Sequence, residues 1–510
     1  MNGLSFDWGA ISQALVTIVE PWTLLLIFCG VLGGLVLGMI PGLTAAMGVA
    51  LMIPFTFTMP PQIGMSLLVA VFVGGISGGC LTAILIRMPG TPSSVATVID
   101  GFPMAQKGQA GRAIGNAVVA SFFGTTISAI ILVFSAPLLA TFALKFYFAE
   151  YVAVGIFGLT AVAALTGNTV SRGLLSAVLG MLVATIGISE ADGLPRFDFG
   201  FTQMTGGIRL LPALIGLFAI SQIMHEVSRT KKLQITTTAP IDRIFPSLAD
   251  IRHNLINYVR SSIIGTVVGV IPAMGGGPAG LISYAQAKSS SKTPDQFGKG
   301  SVEGVIAAES ANNATIGGAL IIMLTLGIPG DPVTAILLGG LMIHGLQPGP
   351  QLFMNNPEVI YSTYFSVFFG SLCMMVIMLC ASRMLAKVAS VPTQILMPVL
   401  FVLAAVGTYS LNNRVFDVGV MCAFGVVGYI FDRWRYPLPP FVLGLVLGPI
   451  VEINFRKMYS SYGNAWDLVT RPISLSLLIL SVLSILFSIW RHRKHHREMS
   501  ASTWEEETAA

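Results

Sequence analysis

The chain has 510 residues, 54% of them hydrophobic and 10% charged, with a mean hydropathy of +0.80. Soluble domains carry about 25% charged residues, so this composition excludes a soluble enzyme or binding module and leaves a large integral membrane protein. The net charge of +5 is no nucleic-acid footprint, because the basic residues lie between apolar spans. The five cysteines (Cys29, Cys80, Cys373, Cys380, Cys422) stand singly without C-x-x-C spacing, which argues against disulfide or metal chemistry.

In chain order, the N-terminal "MNGLSFDWGAISQALVTIVEPW" lacks the basic segment and cleavage site of a secretory signal, so its apolar span is expected to be retained. Crossings are predicted at 22–40, 41–58, 65–105, 113–138, 148–168, 173–189 and 208–225, followed by a polar loop. A second set follows at 255–272, 273–285, 300–346, 360–382, 396–411, 415–431, 437–452 and 469–490. With the N-terminus outside, 21 of the 28 basic residues fall on the inner side and 7 on the outer, the bias expected of cytoplasmic loops. The tail "RHRKHHR" (491–497) then lies in the cytoplasm as a stop-transfer anchor.

Two crossings carry the same interruption, Arg87-Met-Pro-Gly-Thr-Pro92 and Gly327-Ile-Pro-Gly-Asp-Pro332. Pro89 and Pro329 are 240 positions apart. "GMIPGL" and "GVIPAM" place Pro41 and Pro272 231 apart, and "IDGFP" and "IHGLQP" place Gly101 and Gly345 244 apart. Three matches in the same order indicate duplication. The odd number of crossings in the first set turns the copies in opposite directions. The fold class expected is therefore an all-α polytopic membrane protein with two inverted repeats, broken or re-entrant helices, and about 12 to 15 membrane segments. Its predicted divisions are 1–225 (first repeat), 226–254 (cytoplasmic linker), 255–490 (second repeat plus an extra span) and 491–510 (cytoplasmic tail).

Paired Pro/Gly breaks in inverted repeats are the pattern of secondary transporters. Unpaired backbone facing lipid costs several kcal/mol per group, so such breaks survive only where protein, water or solute satisfies them. Pro89, Gly90, Thr91, Ser93 and Ser94 at the first break, and Pro329, Gly330 and Thr334 at the second, are therefore candidate solute-binding positions. Thr91, Ser93 and Ser94 are also natural N-caps. Arg87 either pairs with a carboxylate or snorkels to headgroups. The polar run "EGVIAAESANNATIGG" (303–318) supplies Ser310, Asn312 and Asn313 as side-chain ligands. Glu309 is an ion-coupling candidate, with interhelical hydrogen bonding as the alternative. Asp331 is either a cap or part of a cation site. Asp100 reads as a headgroup-interface residue and His344 as a packed histidine. "AMGGGPAG" (273–280) lacks the GK[ST] ending of a phosphate loop and reads as flexible or close-packed backbone.

These motifs resemble the large membrane subunit of the tripartite tricarboxylate transporters, the TctA family. The resemblance rests on "GMIPGL" (38–43), "PGTPSSVATVIDGFPMAQKGQAGRA" (89–113), "FGKGSVEGVIAAESANNATIGGAL" (297–320), "LTLGIPGDPVTAILLGGLMIHGLQPGPQLF" (324–353) and "LGLVLGPIVE" (443–452). It implies a bacterial inner-membrane permease importing a small tricarboxylate or dicarboxylate by alternating access with a cation, Na⁺ or otherwise H⁺. It also implies a small four-span membrane subunit and a periplasmic solute-binding protein as partners. A homodimer is compatible with it, and neither a cofactor nor a resident metal is implied. Ala273 after Pro272, and Arg87 and Thr91 around the first break, depart from the family pattern, so citrate is not assumed as the solute. An anion channel and a membrane-embedded enzyme are the alternatives; the enzyme lacks paired motifs such as H-E-x-x-H or G-x-S-x-G.

Overall fold

A computed structural model describes residues 7–166, 170–189, 192–228, 241–388, 391, 393–463 and 465–509. The helices are α1 (Trp8–Val19), α2 (Pro21–Met39), α3 (Ala45–Thr56), α4 (Pro61–Ile86), α5 (Val95–Gln106), α6 (Ala110–Ala143), α7 (Phe148–Thr166) and α8 (Val170–Ala184). A ribbon of β1 (Gly187–Ile188) and β2 (Pro195–Arg196) precedes α9 (Leu210–Ile215) and α10 (Ser221–Ser228), which are joined by a π-helical turn. Then come α11 (Leu248–His253), α12 (Leu255–Val270), α13 (Gly276–Ser290), α14 (Val302–Leu326), α15 (Pro332–Ile343), α16 (Pro350–Asn355) and α17 (Pro357–Val388). The chain closes with α18 (Thr393–Asn412), α19 (Val415–Arg433), α20 (Leu438–Tyr462), α21 (Asp467–Thr470) and α22 (Pro472–Ala509). Ten helices among the described residues are long and apolar enough to cross a membrane, and the protein is an all-α polytopic membrane protein.

Sequence reasoning missed α1 as a separate helix. Its 12 residues are shorter than a full span, and Glu20-Pro21 ends it by starting α2 with a proline at the first helical position. The predicted crossings 65–105 and 300–346 are each two helices. α4 and α14 both stop on a left-handed residue, Arg87 (φ 59°) and Gly327 (φ 69°), and the chain restarts at α5 and α15. Residues 229–240 of the predicted linker 226–254 lie outside the described residues, and its described part carries the end of α10 and the short α11. The backbone of α22 runs through most of the predicted tail 491–510.

The chain forms two compact units. One comprises 1–144 and 211–429, and in it the order α2–α3–α4–break–α5–α6 recurs as α12–α13–α14–break–α15–α17, with α16 inserted. Equivalent close contacts accompany that order. Gly34 and Gly38 lie against Val71 O and Gly75 O, while Gly265 and Gly269 lie against Ala311 O and Thr315 O. The partners differ by 231 positions on α2 and α12 and by 240 on α4 and α14. Gly90 abuts Gly38 O, and Gly330 abuts Gly269 O in the same relation. Such approaches put helix backbones in direct contact, which only residues without a side chain permit. The long helices exchange partners, α6 packing on α14 and α17 on α4. The resulting core leaves α4 and α14 almost wholly buried.

The other unit comprises 145–210 and 430–510, with α20 packed on α7 and α8 and α22 on α7. Gly180 meets Phe441 O and Gly444 meets Ala177 O. The buried Glu150 pairs with Arg471 at 2.9 Å, whose guanidinium lies 4.5 Å from the Tyr147 ring centroid. Arg196 at the ribbon donates to both oxygens of Glu452, at 2.6 and 3.3 Å. These units cut across the division of the sequence into two consecutive halves.

Candidate functional site

The polar stripe of α14, Glu309 to Thr315, is fully buried, where a polar group left without a partner is costly. Glu309 and Asn313, four residues apart, share one face. Thr97 Oγ1 on α5 donates to Glu309 Oε1, and Ser121 Oγ on α6 donates to Oε2 at 3.2 Å. Asn313 Nδ2 donates to Glu309 Oε2 at 3.2 Å, and lies 2.9 Å from Ser121 Oγ. Ser77 Oγ on α4 donates to Asn313 Oδ1 at 2.6 Å, fixing the orientation of the amide. Three helices, α5, α6 and α14, thus reach one carboxylate through neutral donors, α4 joins through Asn313, and none of the ion pairs among the described residues involves Glu309. Hydrogen bonds to a charged group are worth about 1.5–3 kcal/mol each, which makes this network a strong organiser of the core.

The sequence singled out Glu309 and Asn313 but missed Ser77, Thr97 and Ser121. The only available signal was hydroxyl residues recurring in apolar helices, and those more often bond their own backbone, as Thr125 does to Ser121 O at 2.9 Å. Asn312 is also fully buried, and neither its Nδ2 nor its Oδ1 has a hydrogen-bond partner among the described residues. Ser310 Oγ is likewise buried without one.

At the first break, Gly90 N–H donates to Gly79 O at 3.3 Å, and Thr91, Ser93 and Ser94 are all buried. The expectation that these three cap the restarting helix is corrected. Their side chains make no cap hydrogen bond, and Thr91 Oγ1 instead lies 2.8 Å from Ser93 Oγ and 3.4 Å from Ser94 Oγ. Pro89 is half-buried. Arg87 is exposed, with its guanidinium 5.8 Å from the Phe102 ring centroid, and is not drawn into the α14 cluster.

At the second break Pro329 and Gly330 are buried, and Asp331 and Thr334 form a closed capping box. Thr334 N–H donates to Asp331 Oδ1 at 2.7 Å, and Asp331 N–H to Thr334 Oγ1 at 2.9 Å. Of the two readings of Asp331, the structure realises the cap. The corner between α12 and α13 then links the breaks. Ala273, with φ 63°, donates its N–H to Gly330 O at 2.7 Å. A Cβ on Gly276 would overlap Asn312 Oδ1 and stand 2.7 Å from Ser93 Cβ; one on Gly277 would stand 3.0 Å from Pro92 O. Within the segment 273–280, read from sequence as flexible or close-packed, Ala273, Gly276 and Gly277 bridge the two breaks at close range, while Gly275 faces open space.

Asp100, expected at the headgroup interface, is instead fully buried. Its Oδ1 accepts from the N–H groups of Gly298, Gly300 and Ser301 at 2.9, 2.7 and 2.8 Å, and its Oδ2 from Tyr284 Oη at 2.8 Å. It secures the α13–α14 loop to α5. His344 packs beside Gly64, as a packed histidine should.

Comparison with known proteins adds the following. The model of the tripartite tricarboxylate transporter TctA family matches residues 24–443. An Agrobacterium vitis protein described as "Uncharacterized 52.8 kDa protein in TAR-I ttuC' 3'region" is 34% identical over 480 residues, 94% of this chain and 95% of that protein. A second, "Uncharacterized protein in TAR-II ttuC' 3'region" of the same organism, is 36% identical over 226 residues, 44% of this chain and 93% of that protein. No solved structure matches the chain.

Proposed function

Since this chain belongs to the tripartite tricarboxylate transporter TctA family, whose systems pair a large membrane subunit with a small membrane subunit and a periplasmic binding protein, we propose that it imports a small carboxylate together with a cation by alternating access. The carrying observation is the pair of buried helix breaks, at equivalent positions, bridged by the 273–277 corner. Irregular backbone at membrane depth lacks helical partners of its own, so it is retained where it lines a path for a polar solute. The recurring order of elements supports reading the two halves as inverted repeats. In that reading each long helix, α6 and α17, braces the broken helix of the other copy, so the two halves move against each other around one site.

Glu309 is the ion-coupling group of this mechanism. It is a buried carboxylate held only by neutral donors, and it takes a Na⁺ or H⁺ in one state and releases it in another. Asn312, Ser310 and the Thr91–Ser94 hydroxyls provide the solute contacts, while Asn313 holds Glu309 in place. The protein works in a bacterial inner membrane with its N-terminus periplasmic and its C-terminus cytoplasmic, consistent with the distribution of basic residues.

The test is uptake of labelled citrate and succinate into vesicles that contain this chain and its two partner subunits, with Na⁺ or H⁺ gradients imposed in turn. Accumulation that collapses with one gradient is expected, and Asn312→Ala and Asn313→Ala should each lower it by about tenfold or more. Equilibration without accumulation would mark a channel, and unchanged uptake in both variants would remove the two asparagines from the mechanism.

A further inference from the structure

We propose that the first turn of α13, together with Asn312 and Ser93, is the subsite for one carboxylate group of the solute; this rests on the transport reading above. α13 is a 15-residue helix whose N-cap is Gly275, and no side chain caps it. The N–H groups of Gly276 and Gly277 therefore have no acceptor from an earlier turn, and the next residue, Pro278, carries no N–H. By contrast, α3, α14 and α15 start on Thr44, Ser301 and Asp331, whose side chains accept from first-turn N–H groups. A helix start with open donors and the positive end of the helix dipole attracts an anion.

A second and independent observation is Asn312. Its side chain is fully buried, neither polar atom has a hydrogen-bond partner among the described residues, and its Oδ1 lies so close to Gly276 that a Cβ there would overlap it. A buried amide with neither atom paired is costly unless something else satisfies it. Ser93 stands on the same spot from the first break, 8% exposed, and its Oγ contacts only a neighbouring hydroxyl among its hydrogen-bond partners. One carboxylate oxygen is received by the N–H groups of Gly276 and Gly277, and the other by Ser93 Oγ and by Asn312, whose amide, set with Oδ1 toward Gly276, turns over to present Nδ2. All these donors are neutral, which suits a singly charged planar carboxylate better than a phosphate dianion. The subsite also explains why residue 276 is glycine, since any side chain would displace the amide.

The experiment titrates the full-length chain in lipid nanodiscs with citrate, succinate and inorganic phosphate, read by calorimetry and thermal shift. Citrate or succinate should bind saturably in preference to phosphate. Gly276→Ala and Asn312→Asp should each weaken that binding by about tenfold or more. Should Gly276→Ala fail to fold, Asn312→Asp and Ser93→Ala, checked by their ligand-free melting temperatures, test the same subsite. Undiminished carboxylate affinity in the folded variants, or stronger binding of phosphate, overturns the subsite and leaves the transport reading standing. A wild-type chain that binds neither carboxylate overturns the subsite too, and vesicle uptake by the complete system then judges the transport reading by itself.

Discussion

Asp100 illustrates how one side chain joins distant parts of this chain: three loop N–H groups share one of its oxygens. Asp100→Asn keeps an acceptor for those donors, and the Tyr284 hydroxyl can turn to accept from the new amide, so a loss of about 1–2 kcal/mol is expected. Asp100→Ala strands all three N–H groups, and its cost rises to about 3–5 kcal/mol. Thermal melts give the ranking, and faster hydrogen exchange at 298–301 in the alanine variant locates the damage. Glu309→Gln is expected to touch both stability and transport. The amide accepts on one oxygen only and sets an N–H against one of the buried donors, so a loss of about 1–3 kcal/mol is expected in melting, while the folded variant loses gradient-driven accumulation. Wild-type accumulation in Glu309→Gln would exclude the carboxylate from ion coupling.

Helix approach through glycine governs stability at the level of elements. Gly38 sits against Gly75 O on one side, and Gly90 abuts Gly38 O on the other. Gly38→Ala must therefore separate α2 from α4, and Gly90→Ala would separate the first break from α2. Overpacking of this kind costs about 1–3 kcal/mol, and more where backbone must shift. Gly269→Ala, its equivalent between α12 and α14, should behave alike, whereas Gly33→Ala, which would meet open space, should be nearly neutral. A pH dependence arises where α11 meets α6. Arg112 donates to both Asp250 oxygens at 2.9 and 2.8 Å, holding that carboxyl below its ordinary value. Because the folded-state value is depressed, the stabilisation is complete above the unfolded value of about 3.9 and disappears as pH falls through the lower, folded one. Asp250→Asn should cost about 0.2–1 kcal/mol at neutral pH, as exposed pairs do, and converge with wild type only below about pH 4. A gap that persists in acid would assign the loss to something other than the charge.

For the whole molecule, the proposed inverted repeats make a directional prediction. Thr58, between α3 and α4, and Lys292, between α13 and α14, occupy corresponding loops and are both exposed. Single cysteines there, in a background without the five native ones, should label from opposite faces of the membrane, Thr58→Cys outside and Lys292→Cys inside. Labelling from one face would make the copies parallel and remove the proposed symmetry. The two helix breaks were legible because proline and glycine leave sharp marks in a helical sequence, at Pro89-Gly90 and Pro329-Gly330. The two compact units were not legible, because each is assembled from segments far apart in the chain.

Local chemistry settled the rest of what could be read in advance. Composition required a membrane protein, the Pro-Gly pairs required broken helices, and a glutamate and two asparagines in an apolar run required buried partners. Those requirements follow from residue types and short spacings, so the sequence alone determined them. Tertiary structure decided who the partners are. Ser77 reaches Asn313 across 236 positions, Thr97 reaches Glu309 across 212, and Ser121 reaches Glu309 across 188. It likewise turned Asp331 into a cap, left Arg87 on Phe102, and set Asn312 against the open start of α13. A hydroxyl in an apolar helix looks the same whether it bonds its own backbone or a carboxylate on another helix, and only packing chooses between them.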